Sequence, residues 1–419
     1  MPTSNSIEGD HGNSTIDPPQ TGVSQNTFRL DTFLVCFELA VKPMTQRPRI
    51  LLLIPHLGGG GAEQVMALLA EGFSRDKYEI HLALITQITQ GTECLSAGVT
   101  IHALGARRVR SATFRLLSLV HRLKPDLMLS CMAHLNFLVL LLRPCFSPRT
   151  RIIVRQNGTV SAALASDPHR RFTRLLYRIL YRRADRVVCQ TPAMAKDLRD
   201  EIGVQEKQLA VLANPVNVEN LRAMSQSSSQ SGIASETDSR GPRLLAVGRL
   251  SHEKGFDLLL RVLVMVRETL PAIQLLIAGS GPEELALKVL CSKLGLGSAV
   301  FFLGHVDHPC TWFSDTTLFV LPSRHDAMPN ALLEAAACGL PIVAMPASQG
   351  LVDLLQDQPG VWLANEVSAS AFSVALLHAL SQLSPAQRFP HPFIEQFKLP
   401  RAIDAYEDLI DAALRERPL

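Results

Sequence analysis

Twice along these 419 residues, short β-branched or leucine-rich runs alternate with segments of helical length, and nothing else in the chain restricts its fold as much. From Arg49 the periodicity predicts strand 49–54, helix 62–73, strand 79–85, helix 112–123, strand 126–130, helix 135–142 and strand 151–155. Parallel strands are buried on both faces and need crossover helices, so such a sequence specifies a doubly wound α/β sheet. A second copy opens at RLLAVGRL (243–250). It continues with helix 256–269, strand 273–278, helix 282–294, strands 299–303 and 317–321, helix 329–337, strand 341–344 and helices near 348–356 and 369–382. The expected architecture is therefore two Rossmann-like domains with parallel sheets, residues 47–215 and 216–400, with a Ser-rich connection at 225–242. A last helix near 401–415, within the segment 401–419, follows the completed second sheet and is expected to pack back on the first domain. Residues 1–46 are polar and turn-rich and are expected to be a disordered extension. Met44 just before the first strand leaves open that residues 1–43 reflect an over-called gene start.

Composition narrows the function classes. With 41 basic against 38 acidic residues the net charge is +3, so no global charge argues for a nucleic-acid partner. The eight cysteines are scattered with no C-x-x-C or zinc-ribbon spacing, which favours a reduced, cytoplasmic setting. The apolar run Phe137 to Leu142 is stopped by Arg143, far short of the roughly 18 residues a spanning helix needs. The N-terminus shows neither the basic nor the apolar region of a signal peptide.

Candidate site residues collect at the carboxyl ends of the expected strands, where open α/β sheets bind ligands. Gly58 to Gly61 run from the first strand into AEQVMALLAEGF, a side-chain-free backbone at a helix N-terminus that suits an anionic or bulky ligand. A plain flexible turn explains it as well, and it has neither the G-x-G-x-x-G order nor a P-loop ending. In VGRLSHEKGF, Arg249 and Lys254 are two cations beside a helix start, a set fit for a diphosphate; the competing reading is a surface salt bridge with Glu253. In LLIAGSGPEELALK, Gly279 and Gly281 permit close approach. LPSRHDAMPNALLEAAACGLPIV places Asp326 in a loop and Glu334 in a helix that opens at Pro329. Eight helical residues would span about 12 Å, too far for a glycosidase carboxylate pair and suited to gripping separate groups of one extended ligand.

These stretches, with VLANPVN and ADRVVCQTPAMAKDL, resemble the family 4 retaining glycosyltransferases of the GT-B fold over about residues 49–415. SRHDAMPNALLEAAACGLPIV is similar to that family's Glu-x7-Glu signature, with Asp326 in the first Glu position and Ala327 where a Gly is usual. The resemblance implies two domains facing across a cleft and transfer of a sugar from a nucleotide donor, UDP-sugar ahead of GDP-sugar, with no cofactor. It implies that Glu334 binds the ribose hydroxyls, that Met328, Asn330, Gly279 and Gly281 line the donor, and that Asp326 approaches the sugar with one methylene less reach. Arg249 and Lys254 would hold the diphosphate and stabilise the leaving group. His134, after DLMLSCM, matches the family's cleft histidine, although a lone strand-end histidine is more often structural; Gly59, Gly60 and Arg155 would line the acceptor side. No Asp-x-Asp occurs, so no metal is expected and cations would take its place. The implied setting is polysaccharide or lipopolysaccharide assembly at the cytoplasmic face, with a glycan or lipid-linked acceptor. An epimerase or phosphorylase of the same fold and a catalytically degenerate nucleotide-sugar-binding subunit are the alternatives.

Residues 169–186, HRRFTRLLYRILYRRADR, carry seven Arg, with Phe172, Leu175, Leu176, Ile179 and Leu180 at helical spacing. They suit an anionic membrane surface, or a solvated helix that packs its apolar stripe on its own domain.

Overall fold

Apolar strand residues alternate between two covered faces, and this period-two burial builds both sheets of the chain. The structure is a computed structural model that describes residues 47–58, 60–86, 98–165, 167–227, 241–384 and 386–416; the expected extension 1–46 and residues 228–240 of the Ser-rich connection lie outside these.

The first half runs β1 (Arg49–Ile54), α1 (Gly61–Gly72), β2 (Glu79–Leu84), β3 (Val99–Ala103), α2 (Thr113–Leu123), β4 (Leu127–Cys131), α3 (Ala133–Leu142), β5 (Arg151–Arg155), α4 (Val160–Ala165), α5 (Arg170–Leu180), β6 (Arg186–Cys189), α6 (Pro192–Ile202) and β7 (Leu209–Val211). Its strands pair in the order β3-β2-β1-β4-β5-β6-β7, all parallel. Leu51, Leu53, Met128, Ile152 and Val154 face a core shared with α2, α3, α5 and α6. Their neighbours Ile50, Leu52, Ile54, Leu127, Leu129 and Ile153 face α1 on the opposite side. Each fully buried leucine contributes about 1.5–3 kcal/mol.

The second half runs α7 (Val218–Ser227), β8 (Arg243–Val247), α8 (Phe256–Arg267), β9 (Gln274–Ala278), α9 (Glu284–Lys293), β10 (Val300–Gly304), β11 (Leu318–Leu321), α10 (Asn330–Ala337), β12 (Ile342–Ala344), α11 (Gln349–Leu355), β13 (Val361–Leu363) and α12 (Ala369–Gln382). The order is β10-β9-β8-β11-β12-β13, again parallel. Both halves are thus Rossmann-like.

The last helix, α13 (Leu399–Arg415), returns to the first half. Its Ile403, Tyr406, Ile410 and Ala413 complete the core beneath α1 and β1. The chain crosses between halves twice, and the crossings lie side by side: Val216 donates to the Phe397 carbonyl at 2.7 Å, and Leu399 donates to the Val216 carbonyl at 2.9 Å.

Four strands are absent from the periodicity reading. β3, β7 and β13 are sheet edges, three to five residues long and only partly buried, so they show no continuous apolar run. β6 is short and is followed by α6, which Thr191 caps by accepting from the Met194 N–H at 3.2 Å, with Pro192 at its first position and Gly203 (φ 73°) ending it.

Candidate functional site

The second half supplies a loop pair stapled by charge. After β8 the chain turns through Arg249 into a short 3-10 turn, His252–Lys254, and Gly255 (φ 68°) opens α8. Arg324, in the loop after β11, donates to both carboxylate oxygens of Asp257 at 2.7 Å and to the His252 carbonyl at 2.8 Å. Its own backbone N–H donates to the Glu253 carbonyl at 2.8 Å. Burial alone would raise the Asp257 pKa, but the Arg324 hydrogen bonds hold it below the usual carboxylate value. Glu253 is likewise held low, its burial outweighed by the Ser251 hydroxyl, which donates at 2.6 Å.

This staple brings Lys254 against Asp326, and the Lys254 ammonium donates to the Asp326 carboxylate. The salt-bridge partner of Lys254 is therefore Asp326 and not Glu253, and Arg249 remains exposed. Gly279 and Gly281 bear on the same loop. A Cβ on Gly279 (φ 146°) would stand 1.9 Å from the Gly248 carbonyl oxygen, and one on Gly281 would stand 2.3 Å from that of Leu250. The approach they permit is that of the Arg249 loop.

Glu334, on α10, is buried at 8% exposure. Desolvation pushes its pKa up to about 7, against the opposing hydrogen bond from Gln64 of α1 in the first half. A half-protonated, dry carboxyl on this helix suits a ligand that brings hydroxyl donors. Met328 is also buried, but its side chain belongs to the interior of the second half. Asn330 spends both ends of its amide on groups outside its own domain: Nδ2 donates to the Gly61 carbonyl at 2.6 Å, and Oδ1 accepts from Asn214 at 2.6 Å. It ties the two halves together across the cleft.

In the first half, Gly60 is the residue before α1, and the Glu63 carboxylate folds back over it, 2.1 Å from where a Cβ would be. Glu63 is buried and stands 3.7 Å from the His56 ring. His134 opens α3; partial desolvation lowers its pKa against the pull of Glu63, which keeps the ring neutral at pH 7. Met132, just before it, has φ 79°, a backbone strain of about 1–3 kcal/mol for a non-glycine residue. Behind it, Asn136 accepts from Ser130 and donates to the Arg155 carbonyl and the Tyr181 hydroxyl, a buried network that fixes the turn.

Arg155 does not line the cleft. It is 1% exposed, and its guanidinium donates to the Tyr406 hydroxyl at 3.2 Å, to Asn214 at 2.5 Å and to Asn157. Gly59 lies outside the described residues. The structure thus pairs Lys254 with Asp326, sets Glu334 against Gln64 of the first half, and places His134 within the influence of Glu63, which folds over Gly60. The periodicity reading overlooked Glu63, Gln64, Asn214, Asp257 and Arg324. Glu63 and Asp257, each acidic in a first helical turn, and Arg324, two residues from Asp326, carried a local signal. Among the described residues no group of three or more His, Cys, Asp or Glu gathers as a metal site, and no helix is long and apolar enough to cross a membrane.

Residues 59–220 match the family model for Glycosyltransferase Family 4, and residues 233–390 match that for Glycosyl transferases group 1. One glycosyltransferase model thus matches each half of the chain, and the architecture is that of the GT-B fold. It is 26% identical over 311 residues to the lipopolysaccharide core biosynthesis glycosyltransferase LpsE of Rhizobium meliloti, covering 73% of this chain and 85% of that protein. An uncharacterized glycosyltransferase of Methanocaldococcus jannaschii, MJ1059, is 23% identical over 253 residues, 59% of this chain and 62% of the relative, so the chain spans less than two thirds of that protein. The crystal structure of Anabaena Alr3699/HepE in complex with UDP and glucose superposes with a TM-score of 0.72 at 17% identity, over 87% of this chain and 99% of that one.

Proposed function

We propose that the protein is a retaining, metal-independent glycosyltransferase that moves a sugar from a nucleotide donor, a UDP-sugar ahead of a GDP-sugar, to a glycan or lipid-linked acceptor in surface polysaccharide or lipopolysaccharide assembly. What carries this reading is the buried Glu334 on α10, which takes a hydrogen bond from Gln64 of the other half, with Arg249 and the Lys254–Asp326 pair in the loops that follow β8 and β11. The HepE complex with UDP and glucose and the likeness to LpsE support the donor class and the setting.

In this reading Glu334 accepts from the ribose hydroxyls. As the bond from the anomeric carbon to the diphosphate breaks, negative charge grows on the leaving phosphate oxygen, and Arg249 and Lys254 stabilise it. The acceptor oxygen attacks from the same face, and its proton passes to that phosphate oxygen. Neutral His134 hydrogen-bonds the sugar, and Asp326 holds Lys254 in place and reaches toward the sugar from the same loop. The acceptor's setting draws on α5. Tyr177 and Leu180 are buried and Leu176 packs inward, while Phe172 (62% exposed), Leu175 (52%) and Ile179 (48%) form an outward stripe. Arg170, Arg171 and Arg182 beside it have no ion-pair partner among the described residues. That face fits peripheral docking on the anionic inner face of a membrane, each basic residue near the surface contributing about 1 kcal/mol.

A thermal-shift panel of UDP, GDP and ADP and their sugars, with and without EDTA, tests the donor site. Saturation at about 100 times Kd stabilises by about 2.7 kcal/mol, a shift of a few degrees. A UDP class that shifts wild type in EDTA but not Glu334→Ala is the expected outcome; silence from every nucleotide would overturn the reading. Donor binding without turnover on any acceptor would instead favour the degenerate subunit, a reading motivated by the commitment of the short Asp326 side chain to Lys254. Turnover of donor with no added acceptor would favour the epimerase or phosphorylase.

A further inference from the structure

Between α2 and the edge strand β3 lies an open pocket of about 620 Å³ that has no part in the site above. Its walls include His102, Arg115, Ser118 and Arg122, with Phe114 at the rim, 84% exposed. From Val99 to Pro125 the sequence holds Arg107, Arg108, Arg110, Arg115, Arg122 and Lys124 and not one Asp or Glu. Among the described residues no carboxylate lines the pocket. Arg115 is fixed against the wall, its Nη1 donating to the Leu104 carbonyl at 2.5 Å and to that of Gly105 at 2.6 Å. Arg122 has no hydrogen-bond or ion-pair partner among the described residues, and its charge, after burial and His81, helps lower the His102 pKa. The nearest carboxylate through this chain of contacts is Glu79, which already serves His81 at 3.0 Å and Arg49 at 3.3 Å; His81 in turn meets His102 at 3.1 Å. A fixed guanidinium, a free one, a hydroxyl and an imidazole around one cavity form a set of phosphate donors.

We infer that this pocket binds a phosphate or diphosphate group, and that the group is the head group of an anionic membrane lipid. The choice of lipid rests on Phe114 and on position. α2, α3 and α5 cover the same face of the first sheet. Among the described residues of these helices, Phe114, Leu141, Phe172, Leu175 and Ile179 are the large apolar side chains left in solvent, and α2 and α5 also carry Arg115, Arg122, Arg170 and Arg171. An exposed aromatic ring beside a phosphate-binding cavity enters the acyl boundary while the arginines meet the head groups. The lipid source depends on the membrane part of the function proposed above; the phosphate pocket itself does not.

The test is flotation of the full chain with phosphatidylcholine vesicles with or without 30 mol% (roughly one lipid in three) phosphatidic acid, together with binding of inorganic pyrophosphate measured with the nucleotide site filled by UDP. Three variants are compared: Arg122→Glu, Phe114→Asp, and the α5 pair Arg171→Glu/Arg182→Glu. The pocket predicts that Arg122→Glu weakens both anionic-vesicle and pyrophosphate binding about tenfold or more, that Phe114→Asp weakens vesicle binding alone, and that the UDP thermal shift survives in both. If Arg122→Glu loses pyrophosphate yet floats like wild type, the phosphate site stands and the lipid source is overturned. If only the α5 pair abolishes flotation and Arg122→Glu leaves both readouts intact, the membrane reading stands and this proposal falls. If wild type neither floats nor binds pyrophosphate, the proposal is overturned outright.

Discussion

Glu334 joins sequence to chemistry through its pKa. A carboxyl raised from about 4.5 to about 7 by burial binds more protons in the folded than in the unfolded chain between those values. Its contribution to stability is therefore full at low pH and falls as pH rises from about 4.5 through about 7. Ribose hydroxyls that donate to it favour the charged form, so nucleotide affinity should run the other way, rising up to tenfold per unit as pH climbs toward 7 and levelling above it. Titration calorimetry with UDP at pH 5.5, 6.5 and 7.5 checks this, and Glu334→Gln should flatten both slopes. A pH-independent wild-type affinity would remove Glu334 from the ribose site. Arg324→Ala is a second expectation at this scale: it cuts the two bonds to Asp257, frees the loop that brings Asp326 to Lys254, and should cost about 1 kcal/mol of stability because the pair is partly exposed. The larger effect should fall on donor KM, measured beside a thermal melt. Glu334 could be read from the sequence because its signature is local. Gln64 and the burial of Glu63 could not, because a helix of mixed composition gives no hint of which carboxylate will be buried at a cleft.

Loops and helices carry the next layer. Gly279→Ala would drive a Cβ into the Gly248 carbonyl at a backbone angle that L-residues rarely adopt. The expected loss is about 3 kcal/mol or more, with displacement of the Arg249 loop; denaturant melts and UDP binding should fall together. The glycine pattern was visible in LLIAGSGPE, but its reason was not, since the atoms that press on Gly279 come from the preceding βα turn. In α5, helical spacing correctly marked an amphipathic helix, yet spacing alone left open which apolar residues faced inward. Packing against α3 and α6 settled it by burying Tyr177 and Leu180 and leaving Phe172, Leu175 and Ile179 outside. The edge strands were missed for a related reason. Half-buried and short, they depend on one neighbour's hydrogen bonds more than on their own hydrophobicity.

At the scale of the molecule, two adjacent chain crossings and one returning helix decide how the halves are held. Tyr406 of α13 accepts from Arg155 of β5, Arg155 donates to Asn214 in the first crossing, and Asn214 donates to Asn330 of α10. Tyr406→Phe should leave a buried charged N–H without its acceptor and lower stability by about 1–3 kcal/mol, read by chemical denaturation. Asn330→Ala severs the ties to Gly61 and Asn214; small-angle scattering of the free protein should shift toward a more open form while the melting temperature changes little. An unchanged scattering profile would mean that other contacts hold the cleft. The sequence by itself determined two parallel α/β sheets, their strand-end loops and the placement of Arg249, Lys254 and Asp326 in loops and of Glu334 in a helix, because period-two burial, helix-length crossovers and turn residues are properties of neighbours in the chain. Only the tertiary structure decided that Lys254 answers to Asp326, that Asn330 reaches the other half, and that Arg155 is an interior post and not a cleft wall. Each of those depends on atoms tens to hundreds of residues apart, and competition among buried polar groups for the partners within reach is settled only when the chain has folded.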